Sequence, residues 1–274
     1  MTIKKTILYT GAFRFPTGDA AAPRVLNNAK ILRELGFEVA FISFGGIPQE
    51  SDKGRDGNYY YQGFRYINTY DIDVRQPNLV KRILRFVFSG RNALGIMNNM
   101  FSDVYGVIAY QPSAFFTKQI IKLCEKNNKK LITDLTEWYS SNEFPGGVLA
   151  PPAWLNQWNM RCTQKRVKNK IVISSYLNRY YKSSHNIILP PLVDSKEQKW
   201  NNFIEVLPLF DGVRIIYAGT PGKKDLLETM LNAIISCVKD GVKLQFVIVG
   251  VMKEDIAYYK NMEEVQQFSE NILL

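Results

Sequence analysis

Two carboxylates, Asp134 and Glu137, lie at the end of an apolar segment, residues 130–134, that predicts a buried strand. A carboxylate at the carboxyl end of a parallel strand can accept a proton from a substrate hydroxyl or hold that hydroxyl in place. Helix capping is the competing interpretation, and it is strongest for Asp134. Residues 133–139 are therefore a candidate catalytic site, with Glu137 and Asp134 as its acid–base groups.

The loop TGAFRFPTGDAAAPR, residues 10–24, joins the first predicted strand to the first predicted helix. Open α/β sheets bind ligands at this position, so we expect substrate contacts there from Gly11, Thr17, Gly18, Asp19 and Arg24. The spacing of the glycines matches neither the G-x-G-x-x-G fingerprint nor a P-loop, which argues against a dinucleotide dehydrogenase and an NTPase. A turn that binds nothing explains the glycines equally well.

A third candidate site is the segment YAGTPGKKD, residues 217–225, at a second strand-to-helix turn. Gly219 allows a ligand to approach the backbone closely. Lys223, Lys224 and the N-terminus of the helix would stabilise a diphosphate. The competing interpretation is an exposed turn that carries two solvated lysines.

Residues 78–88 predict an amphipathic helix with Lys81, Arg82 and Arg85 on one side and apolar residues on the other. Such a helix can lie in the interface of an anionic membrane. Alternatively, it packs on the core and leaves its basic face in solvent. No apolar run is long enough to cross a bilayer, and no segment resembles a signal peptide, so we expect a cytoplasmic protein.

The order of the predicted elements indicates how these groups are positioned. Strands at 5–10, 37–43, 104–110 and 130–134 alternate with helices at 20–35 and 113–126, and short strands follow at 170–174 and 187–189. This alternation predicts an open, mostly parallel α/β sheet of the Rossmann-like kind. A linker at 194–211 precedes a βαβ unit. We therefore expect a first domain at 1–193 and an incomplete second domain at 212–274.

The chain of 274 residues carries 35 basic and 25 acidic side chains, a net charge of +10. Residues 144–193 contain no acidic side chain. Such patches attract phosphate on nucleic acid, on lipid headgroups or on a diphosphate substrate, and charge alone does not choose among them. No helix-turn-helix, zinc or RNP-like signature accompanies the charge, so we expect no nucleic-acid partner. No spacing of His, Cys and Asp predicts a metal site.

Several segments resemble the GT-B glycosyltransferases of the "group 1" type. Residues 29–39, AKILRELGFEV, are similar to the first helix of that family, and residues 171–177 and 188–194 are similar to its passage before the second domain. Residues 215–219, IIYAG, followed by Lys223 and Lys224, look like the opening of its donor-binding domain.

The sequence departs from the family pattern at three places. Thr220 stands where the family has an arginine, and Pro191 and Leu192 stand where it has Asn-Gly. The paired glutamates that hold the donor in the family would lie beyond Leu274. We therefore expect a donor-binding domain that is truncated at its C-terminus.

The resemblance implies a GT-B-like fold, in which a Rossmann-like acceptor-binding domain precedes the beginning of a second, donor-binding one. It implies transfer of a sugar from a UDP- or GDP-linked donor to a hydroxyl of a saccharide or lipid-linked acceptor, without a metal or other cofactor. Glu137 or Asp134 would lie near the acceptor, and Lys224 at the diphosphate. The setting would be bacterial cell-surface polysaccharide synthesis at the inner membrane face. The competing class is a truncated or accessory α/β protein that binds without transfer.

Overall fold

The computed structural model describes residues 5–72, 78–144, 146–183, 185–200, 207–219, 221, 225–252, 256 and 262–273. The chain divides into two compact units, residues 1–196 and 197–274. Each unit has its own sheet. The division falls inside the predicted linker, residues 194–211.

The sheet of the first unit has eight strands among the described residues: β1 (Thr6–Arg14), β2 (Glu38–Gly45), β3 (Tyr59–Tyr61), β4 (Phe64–Asn68), β5 (Val104–Tyr110), β6 (Lys130–Leu135), β7 (Asn169–Val172) and β8 (Asn186–Ile188). Their order across the sheet is β3-β4-β2-β1-β5-β6-β7-β8. Neighbouring strands are parallel, except that β3 and β4 are antiparallel. The predicted mostly parallel α/β sheet is confirmed.

Helices cover both faces of this sheet, because parallel strands are apolar on both sides. One face packs against the first helix through Val25 and Ala29, and the other packs against the third and fourth through Met97 and Phe116. A π-helical turn, residues 159–163, extends the fifth helix. The helices of the first unit are α1 (Ala21–Glu34), α2 (Leu79–Val87), α3 (Arg91–Met100), α4 (Ala114–Lys126), α5 (Pro151–Trp158) and α6 (Ser175–Tyr181).

Strand β1 is longer than the sequence predicts, since it continues beyond Thr10 to Arg14. Phe13 is fully buried, and Arg14 still pairs with Gly45 of β2. Gly11 lies inside the strand with φ 147°, and a Cβ there would lie 2.2 Å from the carbonyl oxygen of Tyr110. The close approach of β1 to β5 thus requires a glycine at this position.

The hairpin of β3 and β4 is not predicted from the sequence. Gln62 and Gly63 connect the two strands with positive φ angles of 49° and 78°, as in a type I′ turn. Such turns favour Asn or Asp before Gly, so Gln-Gly is a weak signal. Phe64 and Tyr66 of β4 are buried against the core, which fixes the register.

The second unit contains the predicted βαβ arrangement. Its sheet has the order β11-β10-β9, with both neighbouring pairs parallel. Leu231, Phe246 and Ile248 are buried in its core. The elements are β9 (Val213–Ala218), α7 (Leu227–Lys239), β10 (Leu244–Val249), α8 (Met262–Gln267) and β11 (Ile272–Leu273).

None of the helices in the described parts of the chain combines the length and the apolar character that crossing a membrane requires.

Lys170 of β7 offers a test of the packing. The side chain is buried, its Nζ donates a hydrogen bond to the carbonyl oxygen of Val167, and the Tyr181 ring lies 4.9 Å from it. Burial lowers the pKa of Lys170 to about 8. In the unfolded chain the lysine pKa is about 10.4, so the unfolded state binds more protons between these two values. The contribution of Lys170 to stability therefore improves as the pH rises through this window.

We expect Lys170→Met to be more stable than the parent near neutral pH, because the charged ammonium no longer has to be buried. The difference in Tm should shrink as the pH rises from about 7 to about 10. Thermal denaturation followed by circular dichroism at three pH values measures it. Lys168→Met, at an exposed position nearby, is the control and should show no such trend. A constant difference at every pH would contradict the assignment.

Candidate functional site

A cavity of about 1450 Å³ opens at the carboxyl ends of the central strands of the first unit. From β1 the chain proceeds to β2 and β4 on one side, and from β5 it proceeds to β6, β7 and β8 on the other. The loops after β1 and β5 therefore diverge and leave a crevice, where open α/β sheets bind ligands. Arg14, Gln111 and Glu137, at or after the ends of three adjacent strands, line this cavity.

The opposite wall of the cavity is apolar. It comes from α2, from the N-terminus of α4, and from residues 143–144 and 155–160. Phe86 packs edge-on against Phe144 with ring centroids 6.1 Å apart, and Phe88 packs in the same way against Phe115 at 5.1 Å. An apolar enclosure that faces a few polar groups is typical of sites for small organic ligands. The wall includes Phe86, Phe115, Phe144, Leu155 and Trp158.

Gln111 fixes the polar wall. Its φ is 42°, a left-handed conformation that is uncommon for a non-glycine residue and is concentrated at functional sites. Its Oε1 accepts a hydrogen bond from the backbone N–H of Thr136 at 3.0 Å, and its Nε2 donates to the carbonyl oxygen of Glu137. The end of β5 thereby holds the segment that carries Glu137. Gln111 is not among the residues predicted for the site, although its place directly after a predicted strand is a usable signal in the sequence.

Glu137 is exposed, and Tyr139 follows it two residues later. Burial, together with the nearby Glu137 carboxylate, raises the pKa of Tyr139. The phenol therefore stays protonated beside the carboxylate. Both side chains line the cavity. Of the two predicted acid–base groups, the structure brings Glu137 to the cavity.

The structure places Asp134 elsewhere, in a fully buried network. Its carboxylate accepts hydrogen bonds from the Tyr9 hydroxyl at 2.6 Å, from Arg24 Nη2 at 2.8 Å and from Asn28 Nδ2 at 3.3 Å. Burial, reinforced by Asp134, raises the pKa of Tyr9 well above its ordinary value. The Asp134 carboxylate holds these three side chains and does not line the cavity, so this geometry corrects its expected place beside a substrate.

Arg24 is buried with Asp134. Its Nε and Nη2 donate to the carboxylate, and its Nη1 donates to the carbonyl oxygen of Leu189, 3.1 Å away, beyond β8. The guanidinium thus joins α1 to β6 and to the chain after β8. All three guanidinium nitrogens thus donate hydrogen bonds within the protein. The expected contact of Arg24 with a substrate stays a prediction.

Asp19 lines the cavity and also caps α1. Its Oδ1 accepts hydrogen bonds from the backbone N–H groups of Ala21 at 3.1 Å and Ala22 at 3.0 Å. Its Oδ2 accepts one from the backbone N–H of Arg14 at 2.9 Å. The carboxylate therefore shapes the loop after β1 and orders the positive end of the helix.

The remaining predicted residues of this loop do not line the cavity. Gly11 is buried inside β1, whereas Thr17 and Gly18 are exposed in the loop. A Cβ on Gly18 would lie 2.8 Å from the Cβ of Arg14, so the loop folds back tightly there. Ligand contacts of these three residues stay predictions.

In the second unit, Gly219 ends β9 with φ 146°, and its backbone N–H donates to the carbonyl oxygen of Val249 at 3.0 Å. Lys223 and Lys224 lie outside the described residues. The diphosphate site proposed for these three residues stays a prediction.

The basic helix expected at residues 78–88 forms as α2. Lys81 is exposed, and the side chain of Arg82 lies outside the described part of the structure. Arg85 reaches inward, since its guanidinium donates to the carbonyl oxygens of Tyr70 at 2.8 Å and Asp71 at 2.9 Å and lines the cavity. Arg85 is thus placed at the cavity wall, away from the expected solvated basic face.

In the described residues, no group of three or more His, Cys, Asp or Glu side chains could hold a metal ion.

The buried pair of Arg24 and Asp134 gives a prediction. Arg24→Met leaves an uncompensated carboxylate in the interior and should lower the free energy of unfolding by about 3–5 kcal/mol. The double variant Arg24→Met with Asp134→Leu removes both charges and should lose less than the sum of the two single changes. Urea denaturation measures all three. Lys30→Met, which opens the more exposed pair of Lys30 and Asp194, is the control and should have a much smaller effect. Additivity of the two single changes would contradict the coupling.

No protein-family model matches the sequence, and no curated protein matches it. Solved structures do match. Sucrose-phosphate synthase from Thermosynechococcus elongatus is 14% identical with a TM-score of 0.57, and the match covers 98% of this chain and 69% of that one. UGT2 of Phytolacca americana, complexed with UDP-2fluoro-glucose and pterostilbene, is 10% identical with a TM-score of 0.60, covering 100% and 71%.

TarM is 10% identical with a TM-score of 0.58, and the match covers 100% of this chain and 76% of that one. Identities at this level establish architecture rather than activity. The mostly parallel α/β sheet of the first unit agrees with these matches. This chain therefore has the fold of the GT-B glycosyltransferases.

Proposed function

We propose that this protein is a glycosyltransferase that moves a sugar from a nucleotide-diphosphate donor to a hydroxyl of an acceptor held in the cavity of the first unit. The observation that carries the proposal is the exposed carboxylate of Glu137, which lines a large cavity at the switch point of a GT-B fold. The similar structures include proteins solved with UDP or a UDP-sugar. We expect a UDP- or GDP-linked donor here.

In this reaction the acceptor oxygen forms a bond to the anomeric carbon of the donor sugar. The bond between that carbon and the diphosphate oxygen breaks, and the nucleoside diphosphate leaves. The proton of the acceptor hydroxyl passes to the Glu137 carboxylate. We expect Gly219, Lys223 and Lys224 to stabilise the leaving diphosphate, and we expect no metal or other cofactor.

The apolar wall favours an acceptor with an apolar part, such as a lipid-linked saccharide. The apolar rings of Phe86, Phe115 and Phe144 line the cavity. An alkyl or isoprenoid chain can pack against these rings, whereas a sugar hydroxyl finds no hydrogen-bond partner on them. The competing function is an accessory protein that binds such a molecule without transfer. Donor-dependent release of nucleoside diphosphate separates the two.

We expect the parent protein to release UDP or GDP from one of a panel of nucleotide sugars when an alkyl glycoside is the acceptor. Glu137→Gln keeps the shape of the side chain but cannot take the proton, so kcat/KM should fall by about a hundredfold or more. A coupled assay for the released diphosphate measures it. Glu125→Gln, on the exposed side of α4, is the control and should keep full activity. Equal rates for Glu137→Gln and the parent would contradict the role of Glu137.

A second candidate property is binding to an anionic membrane. Helix α2 packs against α5, and large apolar side chains of both and of the turn before α5 are exposed: Val80 by 62%, Leu84 by 49%, Leu149 by 78% and Trp154 by 59%. Indole rings favour the interface between lipid and water. The exposed ammonium of Lys81 would contact acidic headgroups. We propose that this face lies on the membrane that holds a lipid-linked acceptor.

We expect Leu84→Glu to reduce the binding of the protein to vesicles of phosphatidylglycerol and phosphatidylcholine by about tenfold, because a buried leucine contributes about 1.5–3 kcal/mol. Vesicle flotation measures the bound fraction. Leu35→Glu places the same change on an exposed leucine at the end of α1 and should leave binding intact. Equal losses in both variants would show that charge, rather than this face, governs the binding.

A further inference from the structure

A second, smaller groove lies beside the cavity in the first unit. It is open to solvent and has a volume of about 370 Å³. Its walls are the chain after β6, the junction of α5 with the π-helical turn, and one face of α6. The side chains that form it include Trp138, Tyr139, Gln157, Arg161, Tyr176 and Tyr180.

Aromatic rings line this groove. The Trp138 ring meets the Tyr180 ring at 4.7 Å, nearly perpendicular, and the Tyr176 ring at 6.4 Å. The indole Nε1 donates to Gln157 Oε1 at 3.1 Å, which fixes the orientation of the ring. Tyr176 is nevertheless 58% exposed. Fixed ring faces carry partial negative charge, and the C–H groups of a pyranose ring carry partial positive charge, so the two surfaces attract each other.

Arg161 adds a cationic guanidinium group to the aromatic surface. Its guanidinium lies 5.7 Å from the centroid of the Trp138 ring, and its Nε donates to Gln157 Oε1 at 3.3 Å. In the described parts of the chain its two terminal nitrogens have no hydrogen-bond partner, and the side chain is exposed. A planar guanidinium held in this way matches a carboxylate through two parallel hydrogen bonds.

Among the described residues that line the groove, the charged side chain is the cation Arg161. Lys165 Nζ lies 5.0 Å from the Tyr180 ring, and residues 144–193, which supply most of the groove, contain no acidic side chain. On the other edge, the Glu143 carboxylate accepts a hydrogen bond from the backbone N–H of Ser140 at 2.8 Å and so caps its own turn. The groove therefore attracts an anion that also carries a ring.

Tyr139 lines both the groove and the cavity. A molecule whose reacting hydroxyl lies near Glu137 can therefore continue past Tyr139 into the groove. We propose that the groove is a binding site for an acidic saccharide unit, a pyranose with a carboxylate, within the acceptor. The place of this unit in the acceptor rests on the proposed function, whereas its binding to the groove does not. A single-stranded nucleic acid also stacks on aromatic rings, but the groove adjoins a cavity that has an apolar wall.

The test is the binding of trigalacturonate in the absence of any nucleotide sugar, with its methyl ester as the matched neutral probe. We expect the quenching of tryptophan fluorescence to show binding of the acid that is about tenfold tighter than that of the ester. Tyr176→Ala should weaken both, and Arg161→Met should weaken only the acid. Arg179→Met, an exposed cation of α6 that does not line the groove, should change neither.

Several results would overturn the site. They are no binding of trigalacturonate, equal binding of acid and ester, or affinities that do not change in Tyr176→Ala and Arg161→Met. Tighter binding of an oligouridylate or of glucose 6-phosphate at the same residues would assign the groove to a nucleic acid or to a phosphate ligand instead. Loss of transfer with binding retained would count against the proposed function alone. Binding is measured without donor, so the two failures are distinguishable.

Discussion

The buried carboxylate of Asp134 is the constraint on which the first unit depends. A charge without solvent must be paired and hydrogen-bonded on every side, and two elements supply the three partners: Tyr9 from β1, and Arg24 and Asn28 from α1. The network fixes the first helix against strands that lie two places apart in the sheet. Because Arg24 also reaches the carbonyl oxygen of Leu189, one ionic centre orders the strand ends from β1 to β8.

The cavity follows from that order together with the topology. The chain leaves the central pair of strands in opposite directions, so their loops separate at the carboxyl edge, and the fixed strand ends form a polar wall. Gln111 and Asp19 stabilise this wall through backbone hydrogen bonds. Aromatic side chains of α2, α4 and the segment around α5 complete the enclosure. The cavity therefore has a polar wall, where a sugar hydroxyl would react, and an apolar wall, where the rest of the acceptor would lie.

Glu137 and Asp134 show how one short segment can carry two functions. Glu137 follows the strand and is exposed, and it lines the cavity together with Tyr139. Asp134 ends inside the sheet and is satisfied entirely by the protein. Tyr139 then connects the cavity to the neighbouring aromatic groove. The chemistry, the position of the acceptor and the recognition of its next unit would thus depend on one loop after β6.

The sequence by itself determined the sheet class, most strand positions and the edge of the sheet at which the cavity opens, because apolar periodicity and strand-to-helix turns are local properties. It also pointed to residues 133–139 and to the loop after β1. Only the tertiary structure decided which carboxylate is buried, that Arg85 reaches the cavity wall, and that Gln111 holds the site. Those outcomes depend on residues that lie far apart in the chain, such as the paired Arg24 and Asp134. Packing and desolvation decide which of these residues pair, and neither produces a periodic pattern in the sequence.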